Sequence, residues 1–184
     1  MALRIKSHWW NDDQERSLPE IASALAFIAW RIAVDKAINL HCERFVYESD
    51  RQRLDVIEEY LVFLIQIADR MSHGILEDED RRTLITAFAK KVFEHVQDNT
   101  QDLLGPGDYG GPFIARLNAR SGEYADFQFA DDGPSYAFLR HLGFEIQCLM
   151  GPSEENRWVI DQVMDKDGWD AYKRFSKAFR DLFE

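Results

Sequence analysis

Apolar residues recur at intervals of three and four along almost the whole chain. Nowhere do they alternate with polar residues over five or more positions. That spacing puts them on one face of a helix, whereas a half-buried strand needs a period of two. Each helix must then bury its stripe against other helices. The expected fold is therefore all-α, an irregular helical bundle with essentially no sheet. With 184 residues the chain can close one core, which predicts a single domain over 1–184. Its apolar share of 46% is high enough to repay the entropy of ordering, which argues against a disordered chain.

Caps and breakers set the expected lengths. Ser17-Leu18-Pro19-Glu20 reads as a capping box, so the first helix is expected over about 19–48, after an N-terminal arm of residues 1–16. Ser49 and Asp50 offer the next cap, for a helix to about 72 with the stripe Leu54, Ile57, Leu61, Leu64, Ala68 and Met71. A third helix starts near 80, carries Leu84, Ile85, Phe88, Val92 and Val96, and closes at Gly105-Pro106. The loop 105–112 holds four of the ten glycines and two of the five prolines, a change of direction between long and short helices. Pro112 suits the first position of a helix to about 120. Residues 121–129 either continue it or form a separate turn. Asp132-Gly133-Pro134 opens another helix, which ends at Gly151-Pro152. Ser153 caps one to about 164, Asp167-Gly168 breaks the chain, and the last helix carries Trp169, Tyr172, Phe175, Phe179, Leu182 and Phe183. Three long helices are thus followed by three or four shorter ones.

Charge excludes whole classes of function. Asp and Glu outnumber Lys and Arg by 33 to 22, a net charge of −11. Neither nucleic acid nor an anionic membrane is an expected partner, because both require a basic face. No apolar run approaches the ~20 residues of a membrane span, and none near the start has the form of a secretory leader. Cys42 and Cys148 lie within apolar helical patterns and are expected as buried thiols of a cytoplasmic protein. Glu-x-x-His, His-Glu-x-x-His and Cys-x-x-Cys are all absent, so no metal or cofactor is expected. Residues 105–110 spell Gly-x-Gly-x-x-Gly, but they follow a helix rather than a strand, which argues against a nucleotide site.

Three groups of residues remain as candidates. At about 100° per residue, Arg31, Asp35 and Asn39 fall inside the arc of Phe27, Ile28, Ile32, Val34 and Ile38. The opposite side carries Ala22, Ala26, Ala29, Ala33 and Leu40. The helix is expected to be buried nearly all round, enclosing Arg31, Asp35 and Asn39 as a polar seam that could bind a ligand. His141 and Glu145, four apart, are candidates for proton transfer. On the second helix, Asp55, Glu59, Gln66, Asp69 and His73 fall away from the apolar stripe and are expected to be solvated.

The third group is aromatic: Trp9, Trp10, Tyr109, Trp169, Phe179 and Phe183 are candidate interface residues. The last helix also carries Lys173, Arg174, Lys177 and Arg180, a basic stripe suited to the acidic run 77–80 of a second copy. The leading functional expectation is protein–protein contact, as a homodimer or with another protein partner. The alternative is a small-molecule-binding or hydrolytic protein with a polar pocket around Arg31 and Asp35.

Overall fold

The structure, a computed structural model, describes residues 17–183. Three long helices, α1 (Leu18–Cys42), α2 (Asp50–Ser72) and α3 (Asp78–Leu104), precede α4 (Gly110–Ala125). A hairpin of two-residue strands follows, β1 (Phe129–Ala130) and β2 (Gly133–Pro134). Then come α5 (Tyr136–Met150), α6 (Val159–Gln162) and α7 (Gly168–Phe183). The fold is all-α, and the small hairpin is the one sheet among the described residues. The arm 1–16, with Trp9 and Trp10, lies outside the described residues, and no helix among the described residues is long and apolar enough to cross a membrane.

The caps explain the boundaries. Ser17 accepts its place through the reciprocal box with Glu20, whose carboxylate takes the Ser17 N–H at 2.9 Å. Ser49 caps α2 by accepting from the Gln52 N–H at 3.1 Å. At its other end α1 stops at Cys42, six residues short of the expected limit. Arg44 takes a left-handed conformation (φ 75°), and the Phe45 N–H reaches back to the Leu40 carbonyl while that of Arg44 reaches His41. This is the Schellman termination, normally signalled by glycine. With arginine in that place the stop had no sequence signal, and the chain turns so that Phe45 enters the core.

α2 is the axis of the bundle. It packs against α1, α3, α4, α5 and α7, and every residue from Val56 to Ala68 is buried. The expected solvated face is therefore corrected. Glu59 and Gln66 are buried, Asp69 is half-buried, and His73 alone of that group is exposed, while Asp55 is partly covered. A helix with neighbours on every side has no face left for water, whatever its pattern of charges.

α1 is corrected in the opposite sense. Its buried face is the alanine side, with Ala22, Ala26, Ala29, Ala33 and Ala37 joined by Ile21, Leu25, Ile32 and Leu40. Small side chains let α2 and α3 approach closely. Much of the arc expected to enclose the polar seam faces outward: Phe27 and Ile38 are each 54% exposed, Arg31 and Asp35 are exposed between them, and of that arc only Ile32 is fully buried. Arg31 lies over the Phe27 ring at 5.9 Å, and Asp35 pairs with Arg174 rather than Arg31.

The short-helix half departs from expectation where glycine and proline were read as helix signals. Gly133-Pro134 pairs with Phe129-Ala130 as a hairpin, and α5 starts only at Tyr136, capped by Ser135. Gly133 has φ 121°, a conformation suited to glycine, and a Cβ there would meet the Tyr172 ring at 2.6 Å. Residues 121–125 continue α4. After Gly151 the chain runs through turns to α6, then through a π-helical stretch, Val163–Asp167, straight into α7. Gly168 is an ordinary helical residue, not a break. Cys42 and Cys148 are both exposed, not buried thiols.

Candidate functional site

Where α2 faces α4 and α5, charged side chains form a continuous chain of ion pairs. Glu58 and Glu59 of α2 are 2% and 1% exposed. Arg116 of α4 donates to Glu58 at 2.8 Å and to Asp55 at 2.9 Å, with its Nε 3.5 Å from Glu59. Arg51 closes the near end on Asp55 (2.7 Å) and Glu58 (3.2 Å). One helical turn beyond Arg116, Arg120 donates to Glu59 at 3.1 and 3.2 Å, to Glu123 at 3.0 Å, and to Glu145 of α5. The chain ends at His141, whose Nε2 lies 2.9 Å from Glu123 and whose Nδ1 lies 4.0 Å from Glu145.

Burial sets the protonation behaviour of this chain. Desolvation pushes the Glu58 carboxyl up to about 7, against the pull of Arg116 and Arg51. Desolvation also raises Glu145, again opposed by Arg120. For Arg120 itself burial works against the charge, but the hydrogen bond and charge of Glu59 outweigh it and hold the guanidinium proton more tightly. Next to this chain lies Tyr124, fully buried, with a hydroxyl that has no hydrogen-bond partner. Its ring meets His141 edge-on at 4.9 Å between centroids.

A groove of about 970 Å³ runs between α2, α3 and α4. Ile85, Ala89, Phe93, Ile114 and Leu117 make it apolar, and the Phe93 ring packs so closely on Gly110 that a Cβ there would collide with it at 2.1 Å. Where α2 ends and α3 begins, Arg81 grips Asp69 with two hydrogen bonds of 2.8 and 2.9 Å. Beside them Arg70 donates to the carbonyls of Tyr124, Ala125 and Phe127. Carbonyls satisfy its N–H groups without cancelling its charge. Arg70, Arg81 and Lys90 therefore face the groove against one carboxylate, Asp69.

The residues singled out in the sequence are dispersed. Arg31 and Asp35 stand on the outer surface. Asn39 donates to Asp167 at 2.8 Å, in a separate buried cluster where Lys36, 6% exposed, pairs with Asp167 and Asp170. His141 and Glu145 do come together, at the end of the ion-pair chain. Tyr109 turns back on its own loop, its hydroxyl donating to the Gly105 carbonyl at 3.0 Å. Phe179 is buried between the tilted rings of Phe175 and Phe183, and Trp169 packs on Tyr172. These aromatics are engaged within their own bundle.

Glu58, Arg116, Arg120, Glu123 and Tyr124 are not among the residues expected from the sequence. A signal existed on α4: Arg116, Arg120 and Glu123 recur at four and three residues, alongside the apolar arc of Phe113, Leu117 and Tyr124. Charges at the edge of a buried arc need partners on the facing helix. Glu58 and Glu59 gave no such cue, since consecutive glutamates ordinarily mark a solvated turn. No known protein family, curated protein or solved structure matches this chain.

Proposed function

We propose that this protein binds a small amphipathic anion in the groove between α2, α3 and α4, with an apolar body along the floor and a carboxylate or phosphate head among Arg70, Arg81 and Lys90. The groove carries this reading. Its volume of about 970 Å³ suits a molecule of drug or lipid size, and ligand sites of this kind combine an apolar lining with a few convergent polar groups. Its charge is the second support. Three cations oppose one carboxylate in the lining of a chain whose net charge is −11. An anion is the ligand whose head such a groove attracts from solution.

The test uses decanoate and the fluorescent probe 8-anilinonaphthalene-1-sulfonate on the full chain. The probe is expected to bind with one-to-one stoichiometry and to be displaced by decanoate. Ala89→Trp fills the floor and is expected to abolish binding, while Lys90→Glu weakens it about tenfold, the effect of ~1.4 kcal/mol. Probe binding unchanged in Ala89→Trp overturns the proposal.

Self-association is the second reading, supported by charge complementarity between copies. Lys173, Lys177 and Arg180 stand exposed along α7, and Glu77, Asp78, Glu79 and Asp80 stand exposed where α3 begins. Light scattering that gives the mass of one chain, 21.5 kDa, at all concentrations and at low salt rejects it. A dimer held by these charges is expected to dissociate as salt is raised.

A further inference from the structure

We propose that Glu123, His141 and Glu145 bind a first-row divalent metal ion at the junction of α4 and α5, where the ring of Tyr124 packs against His141. One nitrogen and two carboxylate oxygens come from these three side chains, and the donor atoms all lie within 4.8 Å of one another. His141 and Glu145 are four apart on α5, so a single helix face presents both, and Glu123 reaches them from α4. A tetrahedral ion with bonds of about 2.0–2.2 Å draws its donors closer than this. Glu123 is the one of the three that is exposed.

Charge balance points the same way. The ion-pair chain that ends at these residues contains Asp55, Glu58, Glu59, Glu123 and Glu145 against Arg51, Arg116 and Arg120. Five carboxylates, one of them Glu58 with its carboxyl raised to about 7, against three guanidiniums leave a net negative charge of between one and two at neutral pH, which a divalent cation would offset. Much of the chain is shielded from water, where an uncompensated charge is costly.

Tyr124 supplies an independent observation. It is 1% exposed, its hydroxyl has no partner, and it lies in the field of Glu59, Glu145 and Glu123 as well as Arg120. Buried hydroxyls are nearly always hydrogen-bonded, and water held by a bound ion would give this one the partner that no protein side chain provides. Arg120, bonded to both Glu123 and Glu145, would hold the two carboxylates in orientation, as the outer partners of metal ligands do.

The donor set selects the ion. Imidazole with carboxylates suits Zn²⁺, Mn²⁺ or Co²⁺, whereas Ca²⁺ and Mg²⁺ favour oxygen alone. Three protein donors leave a coordination position for water or a small ligand, as in metal sites that act on substrates. His141 also lines a depression of about 170 Å³ with Phe127, Tyr136, Arg140 and Phe144, which offers an approach for a small anionic ligand.

The experiment is Zn²⁺ titration of the full chain by calorimetry, with Co²⁺ absorption as the spectroscopic check. One equivalent is expected to bind, with a Co²⁺ spectrum of mixed nitrogen and oxygen ligation. His141→Ala and Glu123→Gln are expected to weaken binding by more than tenfold, while His73→Ala, an exposed histidine elsewhere, leaves it unchanged. Glu123→Gln alters an exposed side chain and keeps the test usable if His141→Ala fails to fold. Zn²⁺, Mn²⁺ and Co²⁺ all failing to bind below 1 mM, or equal binding in His141→Ala and wild type, overturns the proposal. Ala89→Trp, which fills the groove, is expected to leave metal binding intact, so the two sites fail separately.

Discussion

α1 and α2 lie against each other, 25 and 23 residues long, and differ in how much of their circumference is buried. α1 buries alanines and turns Phe27, Arg31 and Ile38 outward. α2 buries Glu58 and Glu59 together with everything around them. An apolar arc tells which side of a helix would gain from burial, but position in the bundle decides how many sides are buried. α1 has neighbours on one side and can leave two large apolar residues in water. α2 has neighbours on all sides and must neutralise its charges inside.

The sharpest way to break this comparison is to remove one carboxylate from each helix. Glu59→Ala removes a buried acceptor from Arg120 and a neighbour of Arg116, which keep their other carboxylates, and is expected to cost about 1.5–3 kcal/mol. Asp35→Ala removes an exposed pair with Arg174 and should cost no more than about 1 kcal/mol. Urea unfolding followed by circular dichroism measures both. Equal losses would mean that the two helices do not differ in the way described.

A smaller effect tests the packing of α1. Ala33→Leu forces a larger side chain between α1 and its neighbours and is expected to cost about 1–3 kcal/mol. Ile38→Ser on the outer arc should stay within about 0.5 kcal/mol of wild type. Reversal of the two results would restore the face that the apolar arc first indicated.

Next in size is a proton. Folding raises the Glu58 carboxyl from the usual 4.5 to about 7, so between those values the folded chain holds a proton that the unfolded chain has lost. The stability Glu58 contributes is complete below about pH 4.5 and is lost as pH rises through about 7. Unfolding near pH 6 should therefore release close to one proton more in wild type than in Glu58→Gln. Calorimetry in buffers of different ionisation enthalpy counts that proton, and an unchanged release would place Glu58 in water. The least perturbing test is chemical: Cys42 and Cys148 are exposed, so both should react with a thiol reagent without denaturant, whereas thiols of a buried face would not.

Much of the architecture could be read from local features. The capping box at Ser17 and the cap at Ser49 mark the starts of α1 and α2 to within a residue or so, because a cap is a bond between residues three apart. The end of α1 was hidden because Arg44 occupies the position where glycine would have announced a stop. Of the candidate residues, His141 and Glu145 do converge with others. Their principal partners, Arg120 and Glu123, come from α4, and spacing within α5 could not name them. The polar seam at Arg31 and Asp35 dissolved because the wheel has no term for which side a neighbour will occupy.

The period of the apolar residues determined by itself that this chain is a bundle of helices, since only a helix gathers a spacing of three and four on one side. It also determined the long-helix and short-helix halves, because caps and glycine-proline pairs act over a few residues. Tertiary structure alone decided that α2 is the axis, that two adjacent glutamates are the most deeply buried carboxylates of the ion-pair chain, and that His141 stands among carboxylates of two helices. Those outcomes depend on which helices become neighbours. That choice is made by packing across the whole core, and no stretch of the chain carries it locally.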